Sequence, residues 1–316
     1  MTATPRGRRI ASLLFLGVSL MFVILLLRGQ WVSLAGVMES TRSFAWSFRP
    51  GWIVGAIVTG VGNLLLMALV WTDLFRRTGG TTARAEAVRV WVVTNFGRYI
   101  PGKVWQLGGL AVYMKGRGDS GAAALVSVLA FQIITLVTGA AIAVATIGVG
   151  WAGLEGGWLP GVAVLTVLLF GGLHPGVIRR VARRLGAWLG ETDVSVELGA
   201  GDIARAAAGM LVAWVLYGAG FLLLLRGIGV PWELTRLPVL TGIFAASYIV
   251  GYLVLVAPGG LVVREGAMTA LLVEAGGMAV GVAAPVAIIA RVWMIVTELG
   301  ALAAVLVWKG SRKGVV

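Results

Sequence analysis

Six apolar runs of about 20 residues divide this chain, near 10–28, 51–72, 120–148, 158–175, 203–226 and 281–307. A run of that length crosses the hydrocarbon core of a bilayer as one α-helix, which satisfies every backbone N–H and C=O within the segment. The runs therefore constrain the fold more tightly than any motif, and predict an all-α polytopic membrane protein. Composition agrees: 59% of residues are hydrophobic and 12% charged, a balance too apolar for a soluble domain.

The few charges are unevenly placed. Lys and Arg number 26 against 13 Asp and Glu, a formal net charge of +13. They gather in short blocks between the apolar runs, a pattern that fits anionic lipid headgroups and not nucleic acid. Arg6, Arg8 and Arg9, the stretch 76–89, the block RRVARR at 179–184, and Lys309, Arg312 and Lys313 read as cytoplasmic by the positive-inside rule. Only Arg28, Arg42, Arg49, Arg226 and Arg236 fall in the opposite loops. Both termini are then cytoplasmic and the chain is a multi-pass protein of the inner membrane. The first run follows arginines as a secretory signal would, but its length and the spans after it read as a retained helix. Trp31, Trp46, Trp52, Trp151 and Trp158 stand near the proposed outer boundaries as an aromatic belt.

The absence of Cys rules out disulfides, thiol catalysis and Cys-ligated zinc, and a single His rules out a multi-His metal site. The sequence holds no G-x-x-x-x-G-K-[ST], so no P-loop ATPase is expected in it. No catalytic residue, metal or cofactor is expected.

Two further segments, 87–114 and 241–276, are built differently. Each runs an apolar half into Pro-Gly, then a basic residue, then a second apolar half. The breaks are Pro101 and Gly102 in NFGRYIPGKVWQ, and Pro258, Gly259 and Gly260 in APGGLVVREGAM. Proline lacks the backbone donor and disfavours helix in the residue before it, while glycine permits the turn, so a helix stops at each site. Carbonyls freed at membrane depth must be buried in protein or line a wet cavity. The segments read as re-entrant hairpins or as full broken spans; the halves are short for a crossing, with 241–257 on the border. If each hairpin enters and leaves by one face, the C-terminal tail emerges on the cytoplasmic side, as its cations require.

Pro101 and Pro258 stand 157 positions apart (258 minus 101). Shifting 51–72 and 120–148 by that amount places them near 203–226 and 281–307. The whole chain, 1–316, then reads as one transmembrane domain of two repeats, 10–150 and 158–307. An odd number of crossings per repeat makes the second copy inverted. Between them, 176–200 sets Val177, Ile178, Val181, Leu185, Trp188 and Leu189 against four Arg at helical spacing. That describes either a helix on the cytoplasmic membrane surface or a charged linker.

Each half-helix that restarts after a break aims its unpaired amides toward the membrane middle, and Lys103 or Arg264 follows. The candidate substrate-binding residues are Arg98, Tyr99, Lys103, Arg264 and Glu265, with Arg291 and Glu298 from the last run. Arg98, Lys103, Arg264 and Glu265 would together cost on the order of 10 kcal/mol in lipid if uncompensated. Glu265 diverges from its neighbour Arg264 on a helix, so its partner is expected to be Arg98, Lys103 or Arg291. Arg291 and Glu298 share one helix face about 10 Å apart and should each meet a partner across the bundle. Structural pairing and a transport role both fit them. Gln132, Thr135 and Thr138 form a milder stripe suited to interhelical hydrogen bonds, and His174 reads as an interfacial residue.

The stretches NFGRYIPGKVWQLGG, APGGLVVREGAMTALL and IIARVWMIVTELGAL together resemble the lysylphosphatidylglycerol synthase transmembrane family of flippase-like proteins, over about residues 10–307. The pairing of Y-x-P-G-K, with Tyr99 as its first residue, and P-G-G-x-x-x-R-E-G carries the resemblance. It implies a polytopic domain that moves a lipid headgroup between leaflets. The chain ends at Val316, soon after its last apolar run, so synthase activity is not expected. A separate lipid-modifying enzyme or glycosyltransferase would supply the substrate. The family pattern tends to GLGVRE where this chain has GLVVRE, with Val262 in the turn.

The expected function is flippase- or scramblase-like movement of an anionic headgroup, of a phospholipid or a polyprenyl-phosphate-linked sugar. It would run downhill or couple to protons through Glu265 or Glu298. The alternatives are a small-ion or solute secondary transporter, and a membrane enzyme or scaffold acting on lipid-linked substrates. For an enzyme, only Asp73, Glu86, Asp119 and the acidic residues of 191–202 lie near a membrane face.

Overall fold

Each long apolar run that falls within the described residues becomes a helix. The computed structural model describes residues 41–42, 44–99, 104–148, 171, 174–189, 198–253, 260 and 262–308, with backbone alone at 98–99, 104–107, 148, 175 and 188–189. The run at 10–28, most of 158–175, the break residues Pro101, Gly102, Pro258 and Gly259, and the candidate Lys103 lie outside them.

The helices are α1 (Pro50–Arg77), α2 (Arg84–Asn95), α3 (Val104–Lys115), α4 (Gly121–Ala143), α5 (Pro175–Leu189), α6 (Ala200–Gly227), α7 (Leu237–Leu253), α8 (Val263–Glu274) and α9 (Val280–Val307). A 3-10 turn, Phe96–Tyr99, continues α2, a π-turn, Val144–Gly148, continues α4, and a 3-10 turn, Leu234–Arg236, leads into α7. No strand occurs among the described residues. Pro50–Arg77, Gly121–Ile147, Ala200–Gly227, Leu234–Leu253 and Val280–Val307 are each long and apolar enough to cross a membrane. Four of these match runs read as full spans from the sequence. The other contains α7, read from the sequence as half of a hairpin.

Outward faces are as apolar as the core. On α9, Ile288, Val292, Ile295, Val296, Leu299 and Leu306 are exposed at helical spacing, and Leu211, Val212 and Val215 do the same on α6. A soluble bundle would carry charges there; a lipid-facing one requires hydrocarbon. Inside, helices approach through small residues. A Cβ on Gly60 of α1 would stand 2.3 Å from Thr297 Cγ2 of α9, so only glycine lets those backbones lie so close. The indole of Trp293 seals the same contact by donating to the Ala56 carbonyl at 3.0 Å.

Contacts between ends fix the helix directions. Arg77 at the end of α1 lies 3.4 Å from Asp202 at the start of α6, while the Arg49 N–H, just before α1, donates to the Gly227 carbonyl at the end of α6 at 2.8 Å. The two helices are antiparallel. One end of the pair carries Arg76, Arg77, Arg84 and Arg205, and is called the arginine-rich end below.

Both hairpins return to the end they leave. Glu86, in the first turn of α2, pairs with Arg117, just after α3, at 2.9 Å. Arg236, just before α7, donates to the Ala275 and Gly276 carbonyls, just after α8, at 3.2 and 3.0 Å. The α2–α3 base lies at the arginine-rich end and the α7–α8 base at the other, so the hairpins enter from opposite ends.

Asp119 fastens the first base. Its carboxylate accepts from the Thr81 N–H and hydroxyl, both at 2.7 Å, from the Thr82 N–H at 3.0 Å, and from the Thr82 hydroxyl. Burial alone would raise its pKa, but these bonds together outweigh burial and hold it below the ordinary aspartate value near 3.8. The folded pKa is depressed, so the stability it confers is full above the ordinary value and is lost as pH falls through the lower one. Asp119→Asn is expected to cost about 2–3 kcal/mol at neutral pH. Detergent-melting curves should show that gap closing as pH drops below about 4.

The segment 176–200, read as a surface helix or a linker, is helical in its first part as α5. Ile178 and Ala182 are buried while Arg179, Arg180, Arg183 and Arg184 are exposed. His174 starts this helix, its Nδ1 accepting from the Gly176 N–H at 3.1 Å. Of the polar stripe on α4, Thr138 receives the Trp214 indole of α6 at 3.2 Å. Thr135 instead donates to Phe131 of its own helix at 2.8 Å.

Candidate functional site

The second half-helix, α8, opens with Arg264 and Glu265, and both turn into the bundle. Arg264 is only 5% exposed. Its guanidinium lies 4.8 Å from the Phe244 ring centroid and 5.6 Å from that of Tyr248, while Nη1 meets Met294 Sδ on α9. Phe244 and Tyr248 stand one turn apart on α7, so one face of that helix holds the cation by its π-clouds. Glu265 points elsewhere: its Oε1 lies 3.5 Å from Arg291 Nη1, with the two side chains 17% and 10% exposed. Arg291, one of the three partners considered for Glu265, is thus beside it; the side chains of Arg98 and Lys103 lie outside the described residues.

Glu298, two turns farther along α9, is 3% exposed. It shares a narrow recess with Leu64, Trp91, Val92, Asn95, Phe96 and Ala301. Asn95 and Phe96 are the last residue of α2 and the first of its 3-10 turn, so Glu298 faces the inner end of α2 as Arg291 faces the start of α8. By helix rise, Arg291 and Glu298 stand roughly 17 and 27 Å from the start of a helix about 42 Å long. One face of α9 thus meets the inner end of α2 and the start of α8 near the middle of its length. The recess at Arg264, Glu265 and Arg291 and the one at Glu298 are both too narrow for a water molecule. A headgroup could reach either only after the helices part.

Arg98 and Tyr99 lie in the 3-10 turn that prolongs α2, placed in backbone alone, while Lys103, Pro101, Gly102, Pro258 and Gly259 fall outside the described residues. Gly260 is described, at φ +71°, and a Cβ there would stand 2.8 Å from the Gly251 carbonyl oxygen. Gly251 in turn lies under Arg264, with 2.7 Å between a built Cβ and the Arg264 Cβ. The two glycines form the seat on which α8 begins.

Sequence reasoning missed Phe244, Tyr248 and Met294, which in an apolar helix look like lipid-facing residues and carry no local signal of their contact with Arg264. It also passed over Asn63 of α1. That residue is fully buried, and neither side-chain amide atom has a hydrogen-bond partner among the described residues.

Val262 caps α8 at φ 69° and ψ −46°, a turn conformation that β-branched side chains resist. Its side chain is 57% exposed, so packing does not explain it. Val262→Gly is expected to raise stability by about 1 kcal/mol, the relief of strain exceeding glycine's extra unfolded-state entropy. Thermal unfolding in detergent measures this directly.

The sequence profile of the lysylphosphatidylglycerol synthase TM region matches residues 10–300. The chain belongs to this family. A comparison with curated proteins gives no match. The stretch shared with the lysylphosphatidylglycerol synthase TM region contains both hairpins and α9 as far as Gly300, hence every residue of the α9 junction. Membership of this family, together with the long apolar helices, makes the chain an integral, multi-pass membrane protein with a lipid-related role.

Proposed function

We propose that the protein moves the headgroup of an anionic lipid between leaflets, the acyl chains staying in the bilayer. The observation that carries this reading is the junction on α9, where Glu298 meets the inner end of α2 and Arg291 meets the start of α8 with Arg264 and Glu265. Charges cost several kcal/mol at membrane depth and are kept there for work or for pairing. Among the contacts of Arg264 are two aromatic rings and a thioether, soft contacts that a phosphate could replace. Parting of the hairpins from α9 would expose it.

An inverted repeat fits this mechanism. The order α1, α2, α3, α4 recurs as α6, α7, α8, α9, with α3 and α8 each 12 residues long. The equivalent helices α1 and α6 run antiparallel, as a two-fold axis in the membrane plane demands. Such an axis exchanges the hairpins, so that each face would open by the same movement in turn. In this reading the arginine-rich end is cytoplasmic, both termini lie there, and the membrane is the inner one.

The test is the loss of headgroup-labelled phosphatidylglycerol from the outer leaflet's quenchable pool in proteoliposomes. Wild type should exceed protein-free vesicles, and Arg264→Gln, folded by gel filtration, should fall at least tenfold below wild type. Wild type no faster than bare vesicles, or Arg264→Gln as fast as wild type, would sink the proposal.

A further inference from the structure

The end of the bundle away from the arginine-rich face carries its own cluster of cations. Arg49 before α1, Arg226 in the last turn of α6 and Arg236 before α7 line one cleft of about 650 Å³. Their positions in the sequence are far apart; the antiparallel α1–α6 pair and the base of the second hairpin bring them together. The cleft is large enough for a lipid headgroup.

Its cations are held ready. The Arg226 guanidinium lies 5.3 Å from the Trp52 ring centroid, and that of Arg236 lies 4.8 Å from Trp232. Arg236 is further fixed by its bonds to the Ala275 and Gly276 carbonyls. A planar guanidinium lying on an indole still presents N–H groups at its edge, the geometry that takes a phosphate oxygen. Glu233 is the carboxylate in the lining, and among the described residues it forms no ion pair with these arginines. Its Oε2 accepts from the Thr235 hydroxyl at 3.2 Å instead.

The cleft at the arginine-rich end differs. There Arg84 pairs with Asp73 at 2.7 Å, and Arg77 and Arg205 both pair with Asp202. Those pairs answer Arg77, Arg84 and Arg205 with carboxylates; among the described residues no carboxylate pairs with the three arginines of the other cleft. The rim also distinguishes a lipid from a free anion. Phe48 is 76% exposed beside Arg49, and Trp46 and Trp52 are exposed too, giving apolar surface next to the cations. A dissolved phosphate has no use for it, whereas a phospholipid places hydrocarbon and glycerol there.

We propose that the cleft of Arg49, Arg226 and Arg236 binds the phosphodiester of an anionic phospholipid in the leaflet at that end. This binding stands whether or not the chain moves lipid, and the measurement is of binding alone. The full-length protein in detergent is titrated with phosphatidylglycerol, phosphatidylcholine or inorganic phosphate, and bound lipid is counted by native mass spectrometry. Wild type should retain phosphatidylglycerol over phosphatidylcholine. The double variant Arg49→Gln with Arg226→Gln should weaken phosphatidylglycerol retention at least fivefold, and Arg84→Gln at the other end should leave it unchanged. Glu233→Gln, on an exposed loop, should strengthen it about twofold and serves as the decisive variant if the double one does not fold. Unchanged retention in the folded double variant, an equal loss in Arg84→Gln, or no gain in Glu233→Gln overturns the proposal. So does inorganic phosphate binding as tightly as phosphatidylglycerol, which would make the cleft a free-anion site.

Discussion

Arg291→Leu is expected to lower the stability of the fold by about 3–5 kcal/mol and to stop headgroup movement. Adding Glu265→Gln to the same chain should return most of the stability and none of the movement. The reasoning starts from the pair itself, 3.5 Å apart with both side chains largely withdrawn from the surface. Removing the cation alone leaves a carboxylate on α8 in surroundings that disfavour its charge. Neutralising both removes that penalty, since a buried ion pair is often no more stable than an uncharged replacement. Transport has no such symmetry: if the cluster handles a phosphate, an uncharged version has nothing to offer it. Thermal unfolding in detergent and proteoliposome flux separate the two. For a chain of this size the single variant should melt several degrees or more below wild type. A double variant that moves lipid at the wild-type rate would make Arg291 and Glu265 a structural clasp only.

This division between holding and working was partly legible in the sequence. Lipid demands contiguous apolar runs, so the helices read as α1, α4, α6 and α9 stood out, with ends within about five residues of those found. That Glu265 needs a cation from elsewhere was legible as well, because buried charges must be matched, but Arg291 was one of three candidates and no local pattern chose it. The anchor at Asp119 was not. Its partners Thr81 and Thr82 lie 38 and 37 positions away, and an aspartate in a connecting segment carries no periodic signal. The aromatic cradle of Arg264 escaped for a similar reason: Phe244 and Tyr248 are ordinary residues for a membrane helix until α8 is laid against them. Arg49, Arg226 and Arg236 were each read as isolated outer cations. Only the antiparallel arrangement of α1 and α6, which no local pattern states, turns them into one cleft.

Gly251→Ala gives the sharper test of placement, because it leaves every charge in the chain. The added Cβ would stand 2.7 Å from the Arg264 Cβ and 3.4 Å from its Cα and Cγ, closer than α7 and α8 can tolerate without moving apart. Overpacking of this kind costs about 1–3 kcal/mol, and the displaced atoms are those of Arg264 itself, whose guanidinium lies against Phe244, Tyr248 and Met294. Headgroup flux is therefore expected to fall at least tenfold in a protein that still folds. Gly266→Ala is the control, one residue past Glu265 on α8, where a Cβ meets nothing within 4 Å. It should keep full flux and gain about 0.5–1 kcal/mol from better helix propensity. If Gly251→Ala transports as well as Gly266→Ala does, the position of Arg264 is not what the mechanism depends on. The work would then have to be done at Glu298 and the inner end of α2.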